Sequence, residues 1–146
     1  MSTLQIILVV IVAFIVGCSS VNDQIETYQP IVACSLIGLV TGHLELGIML
    51  GGSLQLITMG WANVGAAMAP DAALAGVASA IILIEGNQGA QGIGPAIALA
   101  VPLAVAGLGL TMLVRTATVF IAHIMDSRAE EADINGIQMW HFIGMA

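Results

Sequence analysis

Residues 51–74 read GGSLQLITMGWANVGAAMAPDAAL. The stretch is apolar enough to lie in a bilayer, yet it carries Gln55, Asn63 and Asp71 among glycines and a Pro-Asp step. Polar groups at membrane depth beside irregular backbone mark the places where membrane carriers hold a solute. It belongs to a longer run, residues 46–84, in which Asp71 is the only formal charge. As one straight helix, these 39 residues would be about 58 Å long at 1.5 Å per residue. That is nearly twice the roughly 30 Å hydrocarbon core of a bilayer. The run must therefore break or turn back, and residues 60–71 supply the place. Pro70 has no N–H to donate and drives Ala69 out of helical geometry. Asp71 can then cap a helix over residues 72–84, its carboxylate at the positive end of the helix dipole. Two readings of Asp71 stay open here: a cap at the membrane surface, or a polar group held inside the bilayer.

Composition places the whole chain in a membrane. Of 146 residues, 59% are apolar and 8% charged, with a mean hydropathy of +1.05. A soluble domain carries roughly a quarter charged residues, so no water-facing shell can be built here. The net charge of −7 sets nine acids against Arg115 and Arg128, and there is no lysine. That balance excludes a nucleic-acid partner. Few aromatics and many small residues point to closely packed helices rather than a barrel with aromatic girdles. The expected class is all-α and integral to the membrane, with broken or re-entrant helices. Cys18 and Cys34 read as buried small hydrophobes. Residues 15–20, IVGCSS, imitate a lipoprotein cleavage site, but residues 1–5 lack the positive charge a secretory signal needs.

Outward from the central run, the sequence predicts a first apolar helix over residues 4–18 and a polar stretch over 19–29. An apolar segment over 31–40 follows, with a turn at Thr41-Gly42-His43-Leu44-Glu45. Residues 85–94, EGNQGAQGIG, form a glycine-rich polar loop, and without a Gly-Lys-Ser/Thr ending they are not a phosphate loop. Residues 95–125 are a long apolar run perforated by Pro102, Gly107 and Gly109. Arg115 within it must snorkel to an interface or face a carboxylate, and snorkelling is favoured. Residues 126–133, DSRAEEAD, read as a solvated loop or helix end, on the cytoplasmic side by the weak vote of Arg128. Residues 137–146 open a further apolar segment.

Several motifs together resemble one family. They are Gly51-Gly52-Ser53-Leu54-Gln55, Gly60-Trp61-Ala62-Asn63-Val64-Gly65-Ala66-Ala67 and Ala69-Pro70-Asp71-Ala72-Ala73-Leu74-Ala75. Gln29-Pro30-Ile31-Val32-Ala33-Cys34, Gly38-Leu39-Val40-Thr41-Gly42, residues 97–116 and Met139-Trp140-His141 add to them. In this order they resemble the membrane subunit IIC of mannose-family (mannose/fructose/sorbose) sugar phosphotransferase systems, Gram-positive type. Ser19 stands where the family commonly has an acid and Tyr28 where a histidine is common, while Asp23 is retained.

The resemblance implies a multi-pass permease subunit of the bacterial cytoplasmic membrane that works with a IID subunit to carry mannose- or glucose-type hexoses inward. A cytoplasmic IIAB protein then phosphorylates the sugar with phosphate relayed from phosphoenolpyruvate. It also implies a trimer of IIC–IID heterodimers, elevator-type transport, and an inverted second half beyond these residues, which would be the N-terminal part of the IIC domain. In Gram-positive members the complex is also a docking receptor for class IIa bacteriocins. The loop around Gly86, Asn87, Gln88 and Gly89 is the candidate for that role.

The residues supply roles that fit. A hexose is neutral and rich in hydroxyls, so it needs donor–acceptor side chains and an aromatic face rather than a full counter-charge. Gln55 and Asn63 both donate and accept, and Asp71 accepts from two hydroxyls. Trp61 can cover an apolar sugar face or anchor at the membrane interface. Gln55 can contact sugar or make a helix–helix hydrogen bond. Asn63 and Asp71 are the favoured sugar contacts, with Asp23 and Glu85 as supporting carboxylates. His43, His123 and His141 read as structural, so the chain is expected to move sugar without catalytic residues, metal or cofactor. Two other classes remain as alternatives: a docking protein built on residues 86–94, and a small-solute or ion carrier coupled through Asp71.

Overall fold

The computed structural model describes residues 2–22, 26–61, 68–131 and 133–145. Among these lie helices α1 (Thr3–Asn22), α2 (Pro30–Thr41), α3 (Leu44–Thr58), α4 (Ala72–Glu85), α5 (Ile93–Glu130) and α6 (Ile134–Met145). A short 3₁₀ turn, Gly89–Gly92, leads into α5. The central run breaks as expected: α3 ends at Thr58 and α4 begins at Ala72.

Local chemistry explains each boundary. Ser2 and Gln5 form a capping box at the start of α1: the Ser2 amide donates to Gln5 Oε1 (2.8 Å) and the Gln5 amide to Ser2 Oγ (3.4 Å). The helix then runs past the expected end at residue 18. The Ser19 hydroxyl donates to the Val16 carbonyl (2.9 Å), which satisfies a polar side chain without ending the helix. Pro30 opens α2 at its first position, where a missing N–H costs nothing. At its other end Gly42 takes φ +83°, and the amides of Gly42 and His43 return to the carbonyls of Leu39 (3.3 Å) and Gly38 (2.7 Å), closing a Schellman motif. Asp71 caps α4 by accepting from the Leu74 amide at 3.0 Å.

The expected polar loop over residues 85–94 shrinks, because Gly89–Gly92 is already helical and Pro95 sits in the first turn of α5, where proline is tolerated. Pro102 does not end α5, which is continuous to Glu130. Most of the acidic run after residue 126 is therefore helix end, and Asp133 directly precedes α6.

The chain divides into two compact units, Met1–Leu108 and Gly109–Ala146. In the first, Val9, Cys34, Ile37, Leu50, Ala80, Leu83 and Ala96 form a common core. Helix α2 lies against α3 almost backbone to backbone. A Cβ placed on Gly47 would stand 2.5 Å from the Cys34 carbonyl oxygen, and one on Gly51 2.8 Å from Ile31 Cα. Gly47 and Gly51 are a G-x-x-x-G pair, the spacing that lets helices approach without side chains between them. In the second unit, Arg128 pairs with Glu131 (3.4 Å) and Asp133 (3.5 Å), and Asp133 caps α6 through the Gly136 amide (3.0 Å). Arg115 is exposed on α5, and the ion pairs among the described residues involve Arg128.

Among the described residues one helical stretch, Gly89–Glu130, is both long and apolar enough to cross a bilayer. Helices α2, α3 and α4, at 12, 15 and 14 residues, fall short of the roughly 20 residues a crossing needs. Large apolar side chains such as Leu4, Val10, Phe14, Leu99 and Leu113 remain exposed, as lipid-facing residues do.

Candidate functional site

The helix directions of the first unit sort its polar residues to two ends. At one end Val16, Ala33 and Ala73 pack together with Tyr28, while Leu54, Ala75 and Ala104 pack with Trp61. The start of α2, the end of α3 and the start of α4 therefore meet there, beside the middle of α5. The Asp71 amide donates to the Ala104 carbonyl (3.2 Å), and a Cβ on Gly107 would touch Leu74 Cδ2 at 2.5 Å. At the other end Gln5 Nε2 donates to the Thr41 carbonyl (3.2 Å). A small open cavity of about 200 Å³ there is lined by His43, Leu46, Leu83, Ile84, Asn87 and Gly89.

Gln55, Trp61 and Asp71 are thus brought to one end, where α3 ends at Thr58 and α4 begins at Ala72. Trp61 is half-buried, two residues past the α3 cap at Met59. Asp71 spends one carboxylate oxygen on its cap, and among the described residues no donor is bonded to Oδ2.

Gln55 makes the helix–helix hydrogen bonds that stood as its competing reading. Its Oε1 accepts from the Ile31 amide (3.3 Å), one of the orphan donors of the first turn of α2, and its Nε2 donates to Gln29 Oε1 (3.1 Å). Gln29 Nε2 in turn donates to the Glu26 carboxylate.

Asn63 and Asp23 lie outside the described residues. Helix α3, which carries Gln55, ends at Thr58. Glu85 is moved away from Asp71: it is the last of the fourteen residues of α4, which Asp71 caps, so about 21 Å separates them at 1.5 Å per residue. It stands instead at the end that carries Gly86, Asn87 and Gln88, all exposed, and Gly89. Asn87 and Gly89 both take positive φ, +48° and +56°. Glu26 and Gln29 were not singled out from sequence. The signal was there in part, a polar residue immediately before a helix-opening proline, but the partner that ties Gln29 to α3 is Gln55, more than twenty residues away.

His43 sits apart from this end. His43 Nδ1 is 3.1 Å from the Thr41 carbonyl, in the turn between α2 and α3. Among the described residues no group of three or more His, Cys, Asp or Glu side chains is arranged to hold a metal ion.

The model of the sorbose-specific IIC component of the phosphotransferase system matches residues 3–146. The chain belongs to that family. Relatives of this IIC-family chain include the fructose permease IIC component of Bacillus subtilis (strain 168), 52% identical over 145 residues, covering 99% of this chain and 53% of the relative. The mannose-specific EIIC component of Escherichia coli (strain K12) is 48% identical over 140 residues, covering 96% of this chain and 52% of its own length. The sorbose-specific EIIC component of Lacticaseibacillus casei is 47% identical over 144 residues, covering 99% and 51%. Among solved structures, that of the mannose transporter ManYZ in complex with microcin E492 superposes with a TM-score of 0.91 at 46% identity, covering 99% of this chain and 57% of that one. This IIC-family chain spans about half the length of the curated relatives it matches. The likeness to the ManYZ structure agrees with the all-helical fold of an integral membrane transporter.

Proposed function

We propose that this chain is the sugar-handling part of a IIC permease subunit in a phosphoenolpyruvate-dependent phosphotransferase system of the bacterial cytoplasmic membrane. It carries a mannose- or glucose-type hexose inward together with a IID membrane subunit, as a multi-pass protein in a trimer of heterodimers that moves in elevator fashion. Phosphoryl transfer belongs to the cytoplasmic IIAB partner. The observation that carries this reading is the convergence of Gln55, Trp61 and Asp71, which flank Asn63 in the sequence, on one end of the first unit in a member of the IIC family.

A neutral sugar fits these groups. Asp71 Oδ2 accepts from a hydroxyl while Oδ1 keeps α4 started, and Trp61 offers an aromatic face. Asn63 supplies a donor and an acceptor. Uptake of radiolabelled hexose by cells producing the protein with its membrane partner tests the site. Asn63→Ala and Asp71→Ala abolish uptake while the complex stays assembled in the membrane. Asp71→Asn, which caps a helix as well as aspartate does, keeps the fold and still lowers uptake. Normal uptake by both alanine variants sinks the assignment.

A second role is favoured by the likeness to a transporter solved with microcin E492. The exposed residues Gly86, Asn87 and Gln88, with Gly89, lie at the end away from Asp71 and suit docking of a class IIa-type bacteriocin. Changes at Asn87 or Gln88 then remove bacteriocin sensitivity and spare uptake. Sensitivity unchanged by both sends the docking surface elsewhere.

A further inference from the structure

The side chains of Glu26, Gln29 and Gln55 form one hydrogen-bonded row across the start of α2. Its direction is set at one end by the Ile31 amide, which donates only, so Gln55 must present Oε1 to it and Nε2 to Gln29. Gln29 must then present Oε1 to Gln55 and Nε2 to the Glu26 carboxylate. Each amide nitrogen keeps a second hydrogen, and Glu26 keeps a second oxygen. The row is reachable: Glu26 is exposed, and Gln29 and Gln55 are half-buried. It is also rigidly seated. Gly51 and Gly76 bring α3 and α4 against the first turn of α2, where a Cβ would stand 2.8 Å from Ile31 Cα and 3.3 Å from Pro30 Cα respectively. Glu26 itself takes φ +60°, a conformation a residue with a side chain adopts at an energetic cost. The Gln29 amide bonds the Glu26 carbonyl (3.0 Å), so the turn is closed by backbone and side chain together.

We infer that Glu26 and Gln29, oriented by Gln55, are specificity-determining contacts that read the hydroxyls of a neutral sugar and reject its phosphate ester. This rests on the hexose reading above and adds two residues to it. The free N–H of Gln29 beside a carboxylate oxygen of Glu26 matches the acceptor and donor character of neighbouring hydroxyls. The same row is hostile to a phosphate. Residues 1–108 contain no lysine or arginine, and Glu26 and Asp71 both lie at this end. A dianionic ester would face like charge with no cation from residues 1–108 to offset it. Phosphorylation of the sugar would thereby stop its product from rebinding, giving direction to the transport step. Gln55 is a positioning residue here, acting through Gln29.

Binding to the purified complex with its membrane partner tests this. The probes are the parent hexose, its monodeoxy analogues and its 6-phosphate, with wild type, Glu26→Gln and Gln29→Leu compared. Glu26→Gln keeps an acceptor for Gln29 and lies on an exposed turn, so the fold is spared. The expected result is a loss of about ten-fold or more in affinity for the parent hexose, and a smaller loss for the one deoxy analogue that lacks the contacted hydroxyl. The preference of wild type for free sugar over the 6-phosphate falls about ten-fold in Glu26→Gln. Gln55→Glu, which keeps the bond from Ile31 but loses the donor to Gln29, reproduces the selectivity change of Gln29→Leu. Affinity ratios in Glu26→Gln and Gln29→Leu that all stay within about two-fold of wild type overturn the inference. A wild-type complex that binds no free hexose removes the underlying function instead, and shows this before any variant is compared.

Discussion

The contact between α2 and α3 gives the sharpest quantitative prediction, at Gly47. A methyl added there would stand 2.5 Å from the Cys34 carbonyl oxygen and 3.1 Å from Gly38 Cα, both backbone atoms that no rotamer change can move. Even a weak C–H···O contact wants roughly 3.3 Å, so the two helices must part by about 0.8 Å. A gap of that size forfeits a quarter to a half of the dispersion attraction along the seam, and overpacking of this kind costs about 1–3 kcal/mol. Alanine gains back roughly 0.5–1 kcal/mol over glycine inside a helix. That gain is removed by comparison with Gly52→Ala on the same helix, where an added Cβ meets nothing within 4 Å. The difference between the two variants is therefore the packing term alone, about 1–3 kcal/mol in favour of Gly52→Ala. Reversible unfolding of the purified protein in mixed micelles, titrated with a denaturing detergent, measures it. A difference below about 0.5 kcal/mol, or one of opposite sign, refutes the argument that α2 and α3 touch backbone to backbone.

Gly107→Ala should be milder than Gly47→Ala, about 1 kcal/mol or less, because its added methyl meets the end of the flexible Leu74 side chain at 2.5 Å rather than a carbonyl. The same titration checks it, and a loss equal to that of Gly47→Ala contradicts the reasoning. Cys34 has no exposed surface and donates to the Gly76 carbonyl (3.3 Å), whereas Cys18 is half-buried. A maleimide should therefore label Cys18 in the folded protein and Cys34 only after denaturation. Labelling of Cys34 at the rate of Cys18 would show that the α2–α4 contact opens readily.

What could be read from the sequence was local or arithmetic. The break between α3 and α4 was legible because 39 apolar residues cannot span a bilayer as one rod, and because Pro70 and Asp71 act on their immediate neighbours. The Asp71 cap on Leu74 spans three residues and appears as expected. The polar stretch after Cys18 misled for the complementary reason: serine in a helix can bond its own backbone, so polarity alone did not end α1.

The candidate site was legible only as a set of residue types. Gln55 offered sugar contact and helix–helix bonding on equal terms, and only its long-range partners, the Ile31 amide and Gln29, decide which bonds it makes. Glu85 looked like a neighbour of the site by chemistry until the length of α4 carried it to the opposite end. The roles of Gly47 and Gly51 likewise appear only once α2 is laid against them.

By itself the sequence determined the membrane environment, the helical class, the break and its cap, and the family motifs, since each depends on composition or on residues close along the chain. The tertiary structure alone decided that Gln55, Trp61 and Asp71 share one end with Glu26 and Gln29, while Asn87 and Gly89 share the other with His43. That division follows from how oppositely directed helices stack, and stacking depends on contacts between residues far apart in the chain.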